Sequence, residues 1–214
     1  MEKIIIVGGG GHAKVVISLL KKANKFIIIG YTDKLNKGEL LGINYLGNDV
    51  VLEKYFEEGV KNIAIGIGQI KSSALRRDLV NIANNIGFYF PTIISTTAII
   101  NEDVTIEKGT IIMDGVIINS GTRIGSFSII NTRVSIDHDC IVGNFTHIAP
   151  GVTLSGEVEI GNDVLIGTGS NVIQSIFISN NTIISAGSSI QKSIDKPGIY
   201  RGVPAKLVRG LSYE

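Results

Sequence analysis

His138 stands between two carboxylates in the run Asp137-His138-Asp139. Imidazole is the side chain whose unperturbed pKa lies near neutrality, so a histidine in this setting can take the proton of an attacking nucleophile at pH 7. Simple solvation of a histidine in an acidic turn is the other reading. A second constellation lies near the start. The apolar run Lys3 to Val7 leads into Gly8-Gly9-Gly10-Gly11-His12, then into a segment with Ala13, Val16, Ile17 and Leu20 on one helical face. Strand, glycine turn and helix in that order leave unhindered N–H groups where phosphate oxygens can bind. Gly8, Gly10 and Ala13 satisfy the G-x-G-x-x-A spacing, and Asp33 follows about twenty residues later. A tight turn that holds no ligand satisfies it equally. The 3 histidines and 1 cysteine form no CxxC or HxxxH pair, so no metal site is expected.

The elements that must position His138 follow a six-residue period. Ile, Leu or Val occupies Ile100, Ile106, Ile112, Ile118, Ile124, Ile130, Ile136, Val142, Ile148, Leu154, Ile160, Ile166, Val172, Ile178, Ile184 and Ile190. These residues make up about a third of the chain, so such a run has chance odds on the order of one in a hundred million in a given register. Two residues before each position, from Val104 to Ser188, runs a second series of mostly small or β-branched residues that includes Cys140, read as core. Period two within each repeat predicts short strands, and Gly125, Gly143, Gly161 and Gly167 suit tight corners between them. Three such edges close one coil. The signature resembles the left-handed β-helix of the acyltransferase superfamily over Ile100 to Ile190. His138 then falls at a corner two residues after inward Ile136, and His147, just before inward Ile148, turns outward.

The amino-terminal part reads as half of a nucleotide-binding fold. Phe26 to Gly30 and Asn62 to Ile67 are predicted strands. Ala74 to Ile86 is predicted as a helix with Leu75, Leu79, Ile82 and Ile86 inward, closed by Gly87. About ninety residues hold one mononucleotide-binding half rather than two. The expected architecture is therefore an α/β half-Rossmann domain, residues 1–92, followed by a parallel β-helix with a carboxy-terminal tail, residues 93–214. Hydrophobic residues make up 44% and charged residues 18%, and 20 Lys and Arg nearly balance 19 Asp and Glu. Disorder, nucleic-acid binding and attraction to an anionic membrane lose their basis. A single cysteine, with no secretory or membrane-spanning apolar stretch, leads to the expectation of a cytoplasmic protein.

Three motifs together resemble one family along the whole chain: Gly8-Gly9-Gly10-Gly11-His12, the stretch from Asn131 through Asp137-His138-Asp139-Cys140, and Gly143-Asn144-Phe145-Thr146-His147. Gly202-Val203-Pro204-Ala205-Lys206 adds to the likeness. The family is that of bacterial sugar acetyltransferases, which includes nucleotide-linked 4-amino-sugar N-acetyltransferases and sialic acid O-acetyltransferases. The resemblance implies a homotrimer that transfers acetyl from acetyl-CoA to the amine of a nucleotide-linked sugar, a UDP-4-amino-sugar, for surface glycan synthesis. It implies His138 as general base with Asp139 orienting it, and the Gly156 N–H as oxyanion donor, although Gly156 could be only a coil corner. His147, Gly156 and Thr168 would contact acetyl-CoA. Gly10, Gly11, His12, Asp33, Lys34, Gly66 and Asn131 would contact the nucleotide-sugar. Many relatives carry two adjacent acids where this chain has Asp33-Lys34. O-acetylation of a sugar hydroxyl, a nicotinamide-dependent oxidoreductase and a non-catalytic nucleotide-sugar sensor are the rival readings.

Overall fold

The computed structural model describes residues 1–70 and 72–211. The chain divides into two compact units, Met1–Gly68 with Ala74–Thr96, and Gln69–Ser73 with Thr97–Glu214.

In the first unit a four-stranded parallel sheet has the order β3-β2-β1-β4, formed by β1 (Glu2–Val7), β2 (Phe26–Thr32), β3 (Tyr45–Gly47) and β4 (Asn62–Ile65). Ile4 to Val7 are buried without interruption, as in parallel strands covered on both faces. Helix α1 (Gly11–Ala23) buries Ala13, Val16, Ile17, Leu19 and Leu20, and ends at Asn24, which is left-handed and returns its N–H to Leu20 O. Strand β3 is too short to show a period in the sequence, and the short helix α2 (Leu52–Glu57) lies in the crossover before β4.

Strand β4 ends at Ile65 instead of running to Ile67, and Gly66 N makes the last rung of the ladder by donating to Val7 O. Helix α3 (Ala74–Ile86) corrects the expected face. Its buried residues are Arg76, Leu79, Val80 and Ala83, whereas Leu75 and Ile82 are exposed. The buried Arg76 guanidinium donates to the carbonyls of Ile65 and Ile67, and this need for hydrogen bonds turns the helix away from its most aliphatic stripe. Gly87, with φ of +104°, closes the helix through N–H bonds to Ala83 and Asn84.

The second unit is a left-handed parallel β-helix. Two-residue strands pair with those eighteen positions on, as Arg123 with Ile141, Ile129 with His147 and Ser135 with Thr153. The aliphatic series from Ile112 to Ile190 forms the axial core at 2% exposure or less, while Ile100 and Ile106 in the first coil are partly buried. Hydroxyls in the second series are buried at no polar cost. Ser128 Oγ, for example, donates to Gly143 O and accepts from Thr146 N.

Every sixth residue from Asp103 to Gly187 is left-handed, whether glycine or not; Phe127, Arg133, Asp139 and Glu157 are among them. The glycines expected to make the corners serve another purpose. A Cβ on Gly143 would stand 2.6 Å from the Gly161 carbonyl carbon, so these glycines admit the next coil rather than supply a positive φ. Beyond the coils, Gly198–Gly202 and Ala205–Gly210 form an antiparallel hairpin, with the Gly202 to Lys206 motif at its turn.

Candidate active site

The corner that carries His138 is held from three sides. Asp139 takes the left-handed position of the corner, a conformation that Asp tolerates better than most residues, and donates its N–H to Ser120 O. Its Oδ2 lies 2.9 Å from His138 Nδ1. The Nδ1–H is thereby committed to the carboxylate, and Nε2 is left as the proton acceptor. Asp137 Oδ1 accepts the His138 backbone N–H at 2.8 Å and an amide hydrogen from Asn119 at 2.9 Å. Asn119 in turn accepts from Asn101, so a ladder of three side chains spaced eighteen residues apart ends under the histidine.

The bond to Asn119, followed by that from His138 N, holds the Asp137 carboxyl below its usual range. The Asp139 hydrogen bond, reinforced by the charges of Asp137, Asp139 and Glu157, holds the His138 imidazolium above its ordinary pKa. Asn119 and Asn101 carry no local mark in the sequence; their spacing of one full coil from each other and from Asp137 is the signal that would have found them.

One coil further on lies Gly156. A Cβ there would stand 2.6 Å from His138 Nε2, so any other residue would push the basic nitrogen aside. The Gly156 N–H donates to no acceptor among the described residues. His138, Gly156, Ser155, Glu157, Gln174 and Ser175 line an open depression of about 380 Å³. A base and a bare backbone donor therefore face the same space, which is what deprotonation of a nucleophile and stabilisation of an oxyanion require.

His147 lies nine residues along and half-buried. Its Nδ1 meets Gln69 O at 2.6 Å and its Nε2 meets the amide nitrogen of Asn131 at 3.1 Å, so the ring is held in the Nδ1–H form. Gln69 also donates to Phe145 O. Asn131 is thus the direct partner of His147. Thr168 is exposed at a corner, just before the left-handed Gly169.

In the first unit the glycine turn follows β1, at the carboxyl ends of the strands and beside the switch in strand order between β1 and β4. Gly8 has φ of +104°, and a Cβ on Gly9 would strike the Tyr31 ring. Around Gly10 and Gly11 there is open space, and Gly10 begins α1 with no side-chain cap and no acid in the first turn. The helix N-terminus thereby keeps its N–H groups for a ligand, with half-buried His12 beside them.

A cleft of about 310 Å³ adjoins the turn, walled by Val7, Ile67, Leu75 and Leu79, with Asp33, Lys34 and Asp49 supplying polar groups. Asp33 is heavily used within the turn: its carboxylate accepts from Gly9 N, Leu35 N and Lys37 Nζ. Burial opposes its ionisation, yet those three bonds prevail and hold its pKa below the usual value. Gly66 is buried, and a Cβ would meet Ile6 and Ala13, so packing explains this glycine. Asp49, which accepts from Thr32 Oγ1, was missed because nothing near it in sequence marks it. Among the described residues no group of three metal-ligating side chains gathers, and no helix is long and apolar enough to cross a membrane.

A β-helix corner that carries a base beside a bare N–H, in a chain that also holds a cleft next to a glycine turn, fits the hexapeptide-repeat acyltransferases. The comparisons with known proteins sharpen that class. Residues 3–82 match the PglD N-terminal domain model. Perosamine N-acetyltransferase from Caulobacter crescentus, solved with CoA and GDP-perosamine, shares 32% identity over 97% of each chain, with a TM-score of 0.91. The acetyltransferase domain of PglB from Neisseria gonorrhoeae, solved with acetyl coenzyme A, shares 28% identity over 97% of this chain and 99% of that one, with a TM-score of 0.90. WeeI from Acinetobacter baumannii, at 23% identity and a TM-score of 0.84 over 97% of this chain and 100% of its own, has the same fold. Curated proteins give no significant match. The chain belongs to the hexapeptide-repeat family of bacterial sugar N-acetyltransferases.

Proposed function

We propose that this enzyme transfers acetyl from acetyl-CoA to the amine of a nucleotide-diphosphate-linked amino sugar, a UDP-4-amino-sugar destined for surface glycan. The observation that carries the reading is His138 Nε2 poised over Gly156 with the Gly156 N–H uncommitted. The amine nitrogen attacks the thioester carbonyl, and His138 Nε2 takes its proton as the N–C bond forms. The Gly156 N–H bonds the resulting oxyanion. Collapse breaks the C–S bond, and the departing CoA thiolate takes the proton back from the imidazolium. No acyl-enzyme is required.

The first unit holds the acceptor's nucleotide: Gly10, Gly11 and His12 bind the diphosphate, and Lys34 stands at the cleft that receives the base. Asp33 acts by fixing the turn, and Gly66 by letting β4 pack close. His147 and Thr168 contact acetyl-CoA, His147 through its ring surface because both nitrogens are engaged; Asn131 serves by holding that ring. The particle is a trimer in the cytoplasm. Exposed outward Ile99 (54%), Ile141 (43%) and Phe177 (40%) on the coils give subunits an apolar surface to bury.

Incubation with acetyl-CoA and a panel of UDP-, GDP- and dTDP-linked 4-amino sugars tests the reading, with thiol release and product mass as readouts. A UDP-linked acceptor should yield an acetamide that resists mild base. Preference for a GDP-linked acceptor would overturn the nucleotide assignment. A base-labile ester, or no transfer to any amine, would overturn the reaction.

A further inference from the structure

Cys140 is the chain's one cysteine, and the mechanism above does not use it. It is fully buried in the small inward series. Its Sγ donates to Ser155 O at 3.2 Å, and its own N–H donates to Thr122 Oγ1. Burial pushes the thiol pKa up to about 11, so the sulfur keeps its hydrogen across neutral pH.

The bond to Ser155 belongs to a recurring device. Thr110, Thr122, Ser128 and Thr146 each donate from the interior to the corner carbonyl fifteen residues on: Gly125, Asp137, Gly143 and Gly161. In a trans peptide the C=O and the following N–H point in opposite directions, so a carbonyl held toward the axis sends the next N–H outward. Ser170 makes the same bond to Ser185 O, and the Ala186 N–H that follows is uncapped among the described residues; the other four corners carry a cap. Each outward N–H of those four meets a side-chain oxygen: Ser126 that of Asn144, His138 that of Asp137, Asn144 that of Asn162, and Asn162 that of Asn180.

The Ser155–Gly156 peptide shares the interior bond and lacks the outer cap. Its N–H emerges bare, on a residue whose missing Cβ would stand 2.6 Å from His138 Nε2. We propose that Cys140 is a positioning residue for acetyl transfer: its buried thiol holds the Ser155 carbonyl inward and so aims the Gly156 N–H at the acetyl oxyanion. The inference rests on the acetyl transfer proposed above. It assigns the cysteine a role in the chemical step that core packing alone does not supply, and it requires a donor at this position rather than a thiol as such.

Two substitutions separate donor from volume. Valine stands at this place one coil on, as Val158, and serine stands at the equivalent inward place as Ser128 and Ser170. Cys140→Val should lower kcat roughly tenfold, with both KM values within about twofold and the acidic limb of the pH profile unmoved. Cys140→Ser should restore kcat to within about twofold of wild type, because a hydroxyl makes the same bond. Crystal structures of both variants supply a readout independent of turnover, with the Ser155–Gly156 peptide rotated in the valine protein and retained in the serine protein. Wild-type kcat for Cys140→Val, a serine variant as slow as the valine one, or an unrotated peptide in the valine crystal would each overturn the proposal. Cys140→Ala carries the same expectation should the valine variant fail to fold. A wild-type enzyme that acetylates no amino sugar would sink the proposed reaction instead, leaving the peptide orientation to be judged from the crystals.

Discussion

In the β-helix the neighbour of a residue is always one coil away, as Ile141 is for Arg123, whereas in the amino-terminal sheet Val7 lies between Thr32 and Ile65. The first arrangement repeats a rule; the second depends on where each crossover returns the chain. Glycine shows the consequence. In the coils Gly156 clears room for the basic nitrogen of His138, and in the sheet Gly66 clears room for Ile6 and Ala13. The same missing methyl group protects chemistry in one unit and packing in the other. Polar side chains divide in the same way: the Asn101, Asn119 and Asp137 ladder repeats at the coil period, while Arg76 meets the carbonyls of Ile65 and Ile67, eleven and nine residues back, at spacings that follow no period.

The largest effect expected on the β-helix side comes from His138→Ala, which should lower kcat by roughly two to four powers of ten with acetyl-CoA KM little changed, in steady-state assays. Retained turnover at neutral pH would mean that another group takes the proton. The paired glycines sharpen the comparison directly. Gly156→Ala should lower kcat about a hundredfold through displacement of Nε2, while thermal unfolding stays near wild type. Gly66→Ala should do the reverse, costing about 1–3 kcal/mol of stability in denaturant titrations, with little change in kcat for the folded fraction. Identical behaviour of the two variants would show that both glycines serve packing alone or chemistry alone.

Asp139→Asn has a smaller effect and a definite sign. The carboxylate raises the His138 pKa, so the free base predominates only above that raised value. Removing the charge should move the acidic limb of the kcat profile to lower pH, and the loss of turnover should be less than for His138→Ala. A limb that moves upward or stays in place would show that Asp139 does not tune the base. Asn119→Ala should be the mildest, costing about 0.5–1.5 kcal/mol by loss of one ladder bond. The Asp137 carboxyl should then titrate closer to its ordinary range, which carboxyl NMR can follow.

Much of the candidate catalytic corner was legible in the sequence because its parts lie close together or at a fixed period. His138 and Asp139 are adjacent, Ile136 marks the inward phase, and Gly156 is a coil further along. The ladder beneath Asp137 was equally visible in principle but requires comparison across whole coils rather than within six residues. The amino-terminal unit was harder. Its glycine turn was readable from local order, yet α3 was assigned the wrong face because aliphatic spacing was weighed without the buried Arg76. Asp33 looked free for a ligand until its three bonds within the turn were in view.

The sequence by itself determined the coil repeat, the inward and outward phase of each strand residue and the strand, glycine turn and helix at the start, because these follow from periods of six, two and 3.6 acting on near neighbours. Only the tertiary structure decided that His147 is locked between Gln69 and Asn131, that Arg76 closes the end of β4, and that the Cys140 thiol faces Ser155. A period states which way a side chain points. Which polar atom meets it there depends on how distant segments return, and buried donors and acceptors leave the chain little freedom about that choice once the segments are packed.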